Sequence, residues 1–114
     1  RIELQANWVN ASNRGVFWTD PAHTIANEPN QVSLNRFTIF WEGDIGDLMS
    51  LTPGSTATIL GSANQANPNR DGLLTLCYDG RLLLQTFSSH NHAEETMIQA
   101  WQNYISFMLS NRFR

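Results

Sequence analysis

Residues 71–95, DGLLTLCYDGRLLLQTFSSHNHAEE, hold the single cysteine, two of the three histidines, an Asp-Gly pair between leucine runs and the opening of a helix. Asp79-Gly80 flanked by apolar residues is a hairpin signal, because a two-residue type I′ turn needs positive φ at both central positions. Closing the chain there predicts strands over 73–78 and 81–87. Tyr78 then lies opposite Arg81, Cys77 opposite Leu82, Leu76 opposite Leu83 and Thr75 opposite Leu84. One face of the ribbon carries Leu74, Leu76, Tyr78 and Leu83; the other carries Leu73, Cys77, Leu82 and Leu84. Both faces are apolar, so neither can be left in water and each needs a cover.

The chain supplies one cover at once. Asn91 followed three residues later by Glu94 has the form of a capping box, Glu94 and Glu95 suit the positive end of a helix, and Arg112 and Arg114 suit the negative end. A helix over 92–110 is predicted. Met97, Ile98, Trp101, Tyr104, Ile105, Met108 and Leu109 recur at three- and four-residue spacing as the stripe that packs on the sheet, with Gln99, Gln102, Asn103, Ser106 and Ser110 facing water. Burial of Trp101 is expected to contribute about 2–3 kcal/mol.

Upstream, residues 2–9 alternate, with Ile2, Leu4, Ala6 and Trp8 on one side and Glu3, Gln5 and Asn7 on the other, which predicts a half-buried strand. A short strand over 15–19 follows a turn-rich stretch, and 20–30 reads as irregular loop in which Pro29 biases its predecessors toward extended backbone. Residues 32–41, VSLNRFTIFW, are rich in β-branched and aromatic side chains and predict a strand with Phe37, Ile39 and Trp41 on one face and Phe40 on the other. In DIGDLMSL, Asp44 or Asp47 caps one or two expected helical turns that turn Ile45, Leu48 and Leu51 inward. Thr52-Pro53-Gly54-Ser55 fits a type II turn into strand 56–60. Residues 61–72, GSANQANPNRDG, form a polar loop expected to stay at the surface.

The expected architecture is α+β: one domain over 1–114, an antiparallel sheet of five or six strands, barrel-like in one variant, and a C-terminal amphipathic helix on one face. At 114 residues with 41% hydrophobic side chains, the chain is long enough for one core. No stretch has the length and apolarity of a bilayer span. The opening Arg1-Ile2-Glu3-Leu4 has no leader character and reads as a processed chain or a piece of a longer one. Ten acidic against seven basic residues leave a net charge of −3 and no basic cluster, so nucleic acid is not an expected partner. One cysteine excludes an internal disulfide. Compartment stays open, with secretion, surface attachment or a virion all compatible; the Asn10-Ala11-Ser12 sequon does not decide it.

Chemistry is sparse. His90 and His92 straddle a strand-to-helix junction, where the two imidazoles do not share a face, and neither His23, Asp20 nor Cys77 completes a ligand spacing. No metal and no cofactor is expected. Cys77 falls on an apolar face, where a thiol behaves as a small hydrophobe. Glu42, Asp44 and Asp47 are the acidic set that a hydrolase or ligand-binding domain would use, together with a histidine; the spacing is that of no EF-hand loop. The stronger expectation rests on aromatics, since four Trp and six Phe exceed what a small core holds. Phe40, Phe107, Phe113 and Trp18 are the candidate binding residues of a non-enzymatic interaction or assembly module that meets a protein partner or another copy of itself.

Overall fold

A computed structural model describes residues 3–7, 15–34, 47–67, 69–89 and 92–112. The elements in chain order are β1 (Leu4–Asn7), β2 (Phe17–Trp18), α1 (Thr24–Asn27), β3 (Leu48–Leu51), β4 (Thr58–Ser62), β5 (Gly72–Cys77), β6 (Leu82–Gln85) and α2 (Glu94–Arg112). The six strands make one antiparallel sheet in the order β1-β3-β5-β4-β2, with β6 paired to β5. The sheet is open, since its terminal strands β1 and β2 do not pair with each other among the described residues. The α+β class read from the sequence holds.

The β5–β6 hairpin has the predicted register, with Cys77 opposite Leu82, Leu76 opposite Leu83 and Thr75 opposite Leu84. The turn is wound more tightly than the predicted two-residue one: Tyr78 joins Asp79 and Gly80 at positive φ (52°, 56° and 83°), and the Gly80 and Arg81 amides both donate to Cys77 O at 3.1 Å. Tyr78 and Arg81, expected as a strand pair, belong to the turn. Both faces of β5 are covered: Leu73, Leu74, Thr75 and Cys77 are buried. The cover thins along β6, where Leu82 is exposed and Leu83 to Gln85 are half-buried. Gly72 opens β5 where three strands meet; a Cβ there would lie 3.0 Å from Thr75 Cγ2 and 3.2 Å from the Met49 carbonyl oxygen, so a larger residue would make its neighbours shift by a few tenths of an ångström.

Several local expectations give way to tertiary structure. Leu48–Leu51 is strand β3 and not a helical turn, because its pairing with β1 satisfies backbone groups that an isolated turn would leave open. Met49 is accordingly buried while Leu51 is exposed. Residues 31–34 keep the alternation of a strand, with Val32 and Leu34 buried, yet lie outside the sheet ladder; the rest of the predicted strand 32–41 falls outside the described residues. Gly61 to Ala63, assigned to the polar loop, are buried, because β4 runs on through Ser62 and the Ala63 amide donates to Asp71 O at 2.9 Å. The type II turn is present, with Gly54 at φ 75° and the Ser55 amide on Thr52 O at 3.0 Å.

Glu3, expected on the wet side of the first strand, is buried. Its Oε1 accepts from the Thr56 hydroxyl at 2.8 Å and its Oε2 from the Tyr78 amide at 2.8 Å, so one carboxylate joins the chain start, the turn before β4 and the hairpin tip. The core gathers Val16, Ile25, Leu34, Leu60, Leu73 and Leu74 with Phe87, Met97, Ala100 and Tyr104, which seats α2 on the sheet and on the segment around α1.

That segment explains how α2 is turned. In α1 the Glu28 amide donates to Thr24 O at 2.9 Å. The next helical bond would need an N–H at Pro29, which has none, so the Ile25 carbonyl is orphaned inside the protein. Asn103 on α2 fills the gap. Its Nδ2 donates to Ile25 O at 3.0 Å and to Asn30 O at 2.7 Å, and its Oδ1 accepts from the Asn30 amide at 2.9 Å. Asn103, expected in water, is fully buried. The inward stripe of α2 is Met97, Ala100, Tyr104 and Phe107, a three-four-three spacing flanked by Asn103. The stripe Ile98, Trp101, Ile105 and Leu109, expected to pack on the sheet, faces out instead.

Candidate apolar interface

The outward stripe is the most distinctive surface among the described residues. Ile98, Trp101, Ile105 and Leu109 are 52%, 49%, 59% and 53% exposed. At 3.6 residues per turn, the apolar arc from Phe107 round to Leu109 spans roughly 200°, while contact with one sheet face uses about half of that. The sheet takes one side of the arc and leaves the other bare. Trp101 stands on the ridge, its ring meeting that of Tyr104 edge-on at 5.5 Å between centroids. On one flank lies a groove of about 1000 Å³ between β6 and α2, walled by Leu74, Leu83, Leu84, Ile105 and Met108. On the other flank Met97, Ile98 and His92 line a second, largely apolar depression. The helix carries Glu94 and Glu95 in its first turn, so the stripe starts from an acidic end.

Of the four residues expected to bind a partner, Phe40 and Phe113 lie outside the described residues. Trp18 is half-buried against the core, and its indole N–H donates to Val32 O at 2.9 Å. Phe107 is half-buried too, with its ring 5.3 Å from that of His23. Both lend most of their surface to the protomer itself, and the structure brings neither into the outward stripe. The residues that do form it were assigned inward, because periodicity gives the width of an apolar arc without saying which part of it meets the sheet.

The groups considered for chemistry are dispersed. Glu42, Asp44 and His90 lie outside the described residues, and Asp47 is exposed just before β3. Asp20 Oδ1 accepts from the Ala22 amide at 3.0 Å and His23 Nδ1 from the Ile25 amide at 3.1 Å, so both act as local turn and cap groups. His92, expected exposed, is buried with Nε2 3.3 Å from Leu34 O, an arrangement in which Nε2–H donates to the carbonyl. Burial holds its pKa below the ordinary value. Cys77 is buried with its sulfur 3.9 Å from Thr75 Oγ1, and burial pushes its thiol up. Among the described residues no group of three His, Cys, Asp or Glu side chains gathers that could hold a metal ion, and no helix is long and apolar enough to cross a membrane.

The chain matches no protein-family model, and comparison with curated proteins and with solved structures returns no match. The functional reading therefore stands on the geometry of the α2 surface.

Proposed function

We propose that this chain is a non-enzymatic interaction and assembly module that associates with itself through the outward stripe of α2. The observation that carries the reading is the contiguity of four large apolar side chains, each about half exposed, on a helix fixed from behind by the core and by Asn103. Side chains of this size at half exposure leave on the order of 400 Å² of apolar surface in water, within the range in which a patch on a monomer is often functional. Two copies facing each other bury about 800 Å² before the groove walls are counted, which approaches the ~1,000 Å² of a specific interface. Twofold pairing needs one patch only, since the same surface serves both partners. An exposed Trp central to an apolar stripe is also the residue type that dominates binding energy at interfaces.

Light scattering or sedimentation across a dilution series tests this. The wild-type chain is expected as a concentration-dependent dimer. Ile105→Glu puts a charge in the middle of the stripe and is expected to give a folded monomer. A wild-type chain that stays monomeric at the highest concentration reached, with no partner retained, overturns the reading.

A further inference from the structure

A cleft of about 600 Å³ opens where β2, α1, residues 31–33 and the loop after β4 meet. Its volume lies within the ~300–1,000 Å³ of ligand pockets. Backbone bonds tie its walls together: the Val16 amide donates to Leu34 O at 3.0 Å and the Val32 amide to Ala26 O at 2.9 Å, which hold residues 31–34 to β2 and to α1. The cleft shares no residue with the outward stripe of α2, so what it holds is independent of self-association.

The lining chemistry selects the occupant. Among the described residues no charged side chain lines the cleft, so neither an anion nor a cation finds a counterion there. Phe17 and Trp18 are its aromatic lining, both half-buried. Trp18 spends its one donor on Val32 O at 2.9 Å, which pins the indole and leaves only ring surface to offer. Asn27 spends its amide protons on Pro21 O at 2.8 Å and His23 O at 2.9 Å and keeps Oδ1 as an acceptor. Gln31, Ser33 and Gln65 are exposed, and each can both donate and accept. A wholly apolar ligand would strip water from these groups and return nothing. A proline-rich peptide, which also suits aromatic grooves, would find the indole donor already taken. The matching ligand is neutral, with an apolar face and a rim of groups that donate and accept. A pyranose has that form, C–H groups on its face and hydroxyls round its edge.

We propose that this cleft binds a neutral saccharide, a sugar face against the Trp18 and Phe17 side and its hydroxyls on Asn27 Oδ1, Gln31, Ser33 and Gln65. Titration calorimetry of the whole chain with neutral trisaccharides of glucose, mannose, galactose and N-acetylglucosamine tests it. At least one is expected to bind with a dissociation constant on the order of 1 mM or tighter. Gln31→Ala and Gln65→Ala change exposed positions and are each expected to weaken that binding about tenfold, the worth of one hydrogen bond. Trp18→Leu is expected to abolish it; should that variant fail to fold, the two glutamine variants carry the test. Ile105→Glu is expected to bind within about twofold of wild type, because α2 takes no part. Retention on the matching insoluble polysaccharide, with release by the trisaccharide, would make a polymer the source; binding of the trisaccharide alone would make it a free sugar. No binding of any of the four up to about 10 mM overturns the proposal, as does binding that both glutamine variants leave within about twofold of wild type, binding lost in Ile105→Glu, or a polyproline peptide that binds where the sugars do not. A monomeric wild-type chain defeats the self-association reading and leaves this one standing.

Discussion

Replacing Asn103 by Ala is expected to be among the most damaging single changes on α2, although it removes a polar side chain from a position that helical periodicity assigns to solvent. Asn103 is fully buried and holds three backbone groups: Ile25 O at 3.0 Å, Asn30 O at 2.7 Å and the Asn30 N–H at 2.9 Å. Ile25 is itself fully buried, and Pro29 offers its carbonyl no helical donor, so that carbonyl loses its partner outright, at a cost of about 2 kcal/mol. The Asn30 groups lie in a partly exposed loop where water can take over, which limits their loss to roughly 1 kcal/mol together. The Asn30 side chain keeps its bonds to Gln99 O and Gln102 Oε1. The expected sum is about 3 kcal/mol, a large part of the ~5–15 kcal/mol that holds a domain folded. Ile105→Ser, which an inward reading of the stripe would make severe, is expected to change the free energy of unfolding by less than about 1 kcal/mol. The assay is urea unfolding followed by circular dichroism, at a concentration low enough that the midpoint no longer depends on it, so that self-association does not enter. If Asn103→Ala falls within about 1 kcal/mol of wild type while Ile105→Ser loses more than about 2 kcal/mol, α2 is turned the other way and the interface argument fails with it.

Three further outcomes follow from buried groups. The folded-state pKa of His92 lies below its ordinary 6.5, so the unfolded chain takes up a proton that the folded chain refuses. Stability is therefore full above pH 6.5 and falls as pH drops below it, by up to about 1.4 kcal/mol per pH unit until the folded ring itself protonates. His92→Gln should remove that component from the pH dependence measured by urea unfolding, and an unchanged slope would refute it. Glu3→Gln removes the charge and turns one of two accepting oxygens into an amide; facing Tyr78 it confronts that N–H, and facing Thr56 it can donate to the hydroxyl but meets the Thr56 N–H, now 3.4 Å from Oε1. It should cost about 2 kcal/mol, and an unchanged urea midpoint would deny the carboxylate its clamping role. Cys77 should react with a thiol reagent only as fast as the protein opens. Rapid labelling of the folded chain would contradict its burial.

The sequence alone settled features whose causes are local. Positive φ at Asp79 and Gly80 closes the hairpin, and once it closes, the pairing of Cys77 with Leu82 follows by counting. Pro53-Gly54 makes its turn for the same kind of reason. The α+β class, the long C-terminal helix and the burial of both faces of β5 were legible because composition and periodicity integrate over many residues. Tertiary structure decided the rest. Leu48–Leu51 became a strand because β1 lay beside it, and Glu3 went inside because the Thr56 and Tyr78 donors converge on its carboxylate. The largest reversal, and the one that locates the candidate site, is the rotation of α2. Its apolar arc holds two adjacent stripes, and either would have satisfied a hydrophobic pattern. The orientation found brings Asn103 to the Ile25 carbonyl that Pro29 leaves without a donor and seats Met97, Ala100 and Tyr104 in the core, long-range contacts that no periodicity encodes, and in that orientation Trp101 and Ile105 face the solvent.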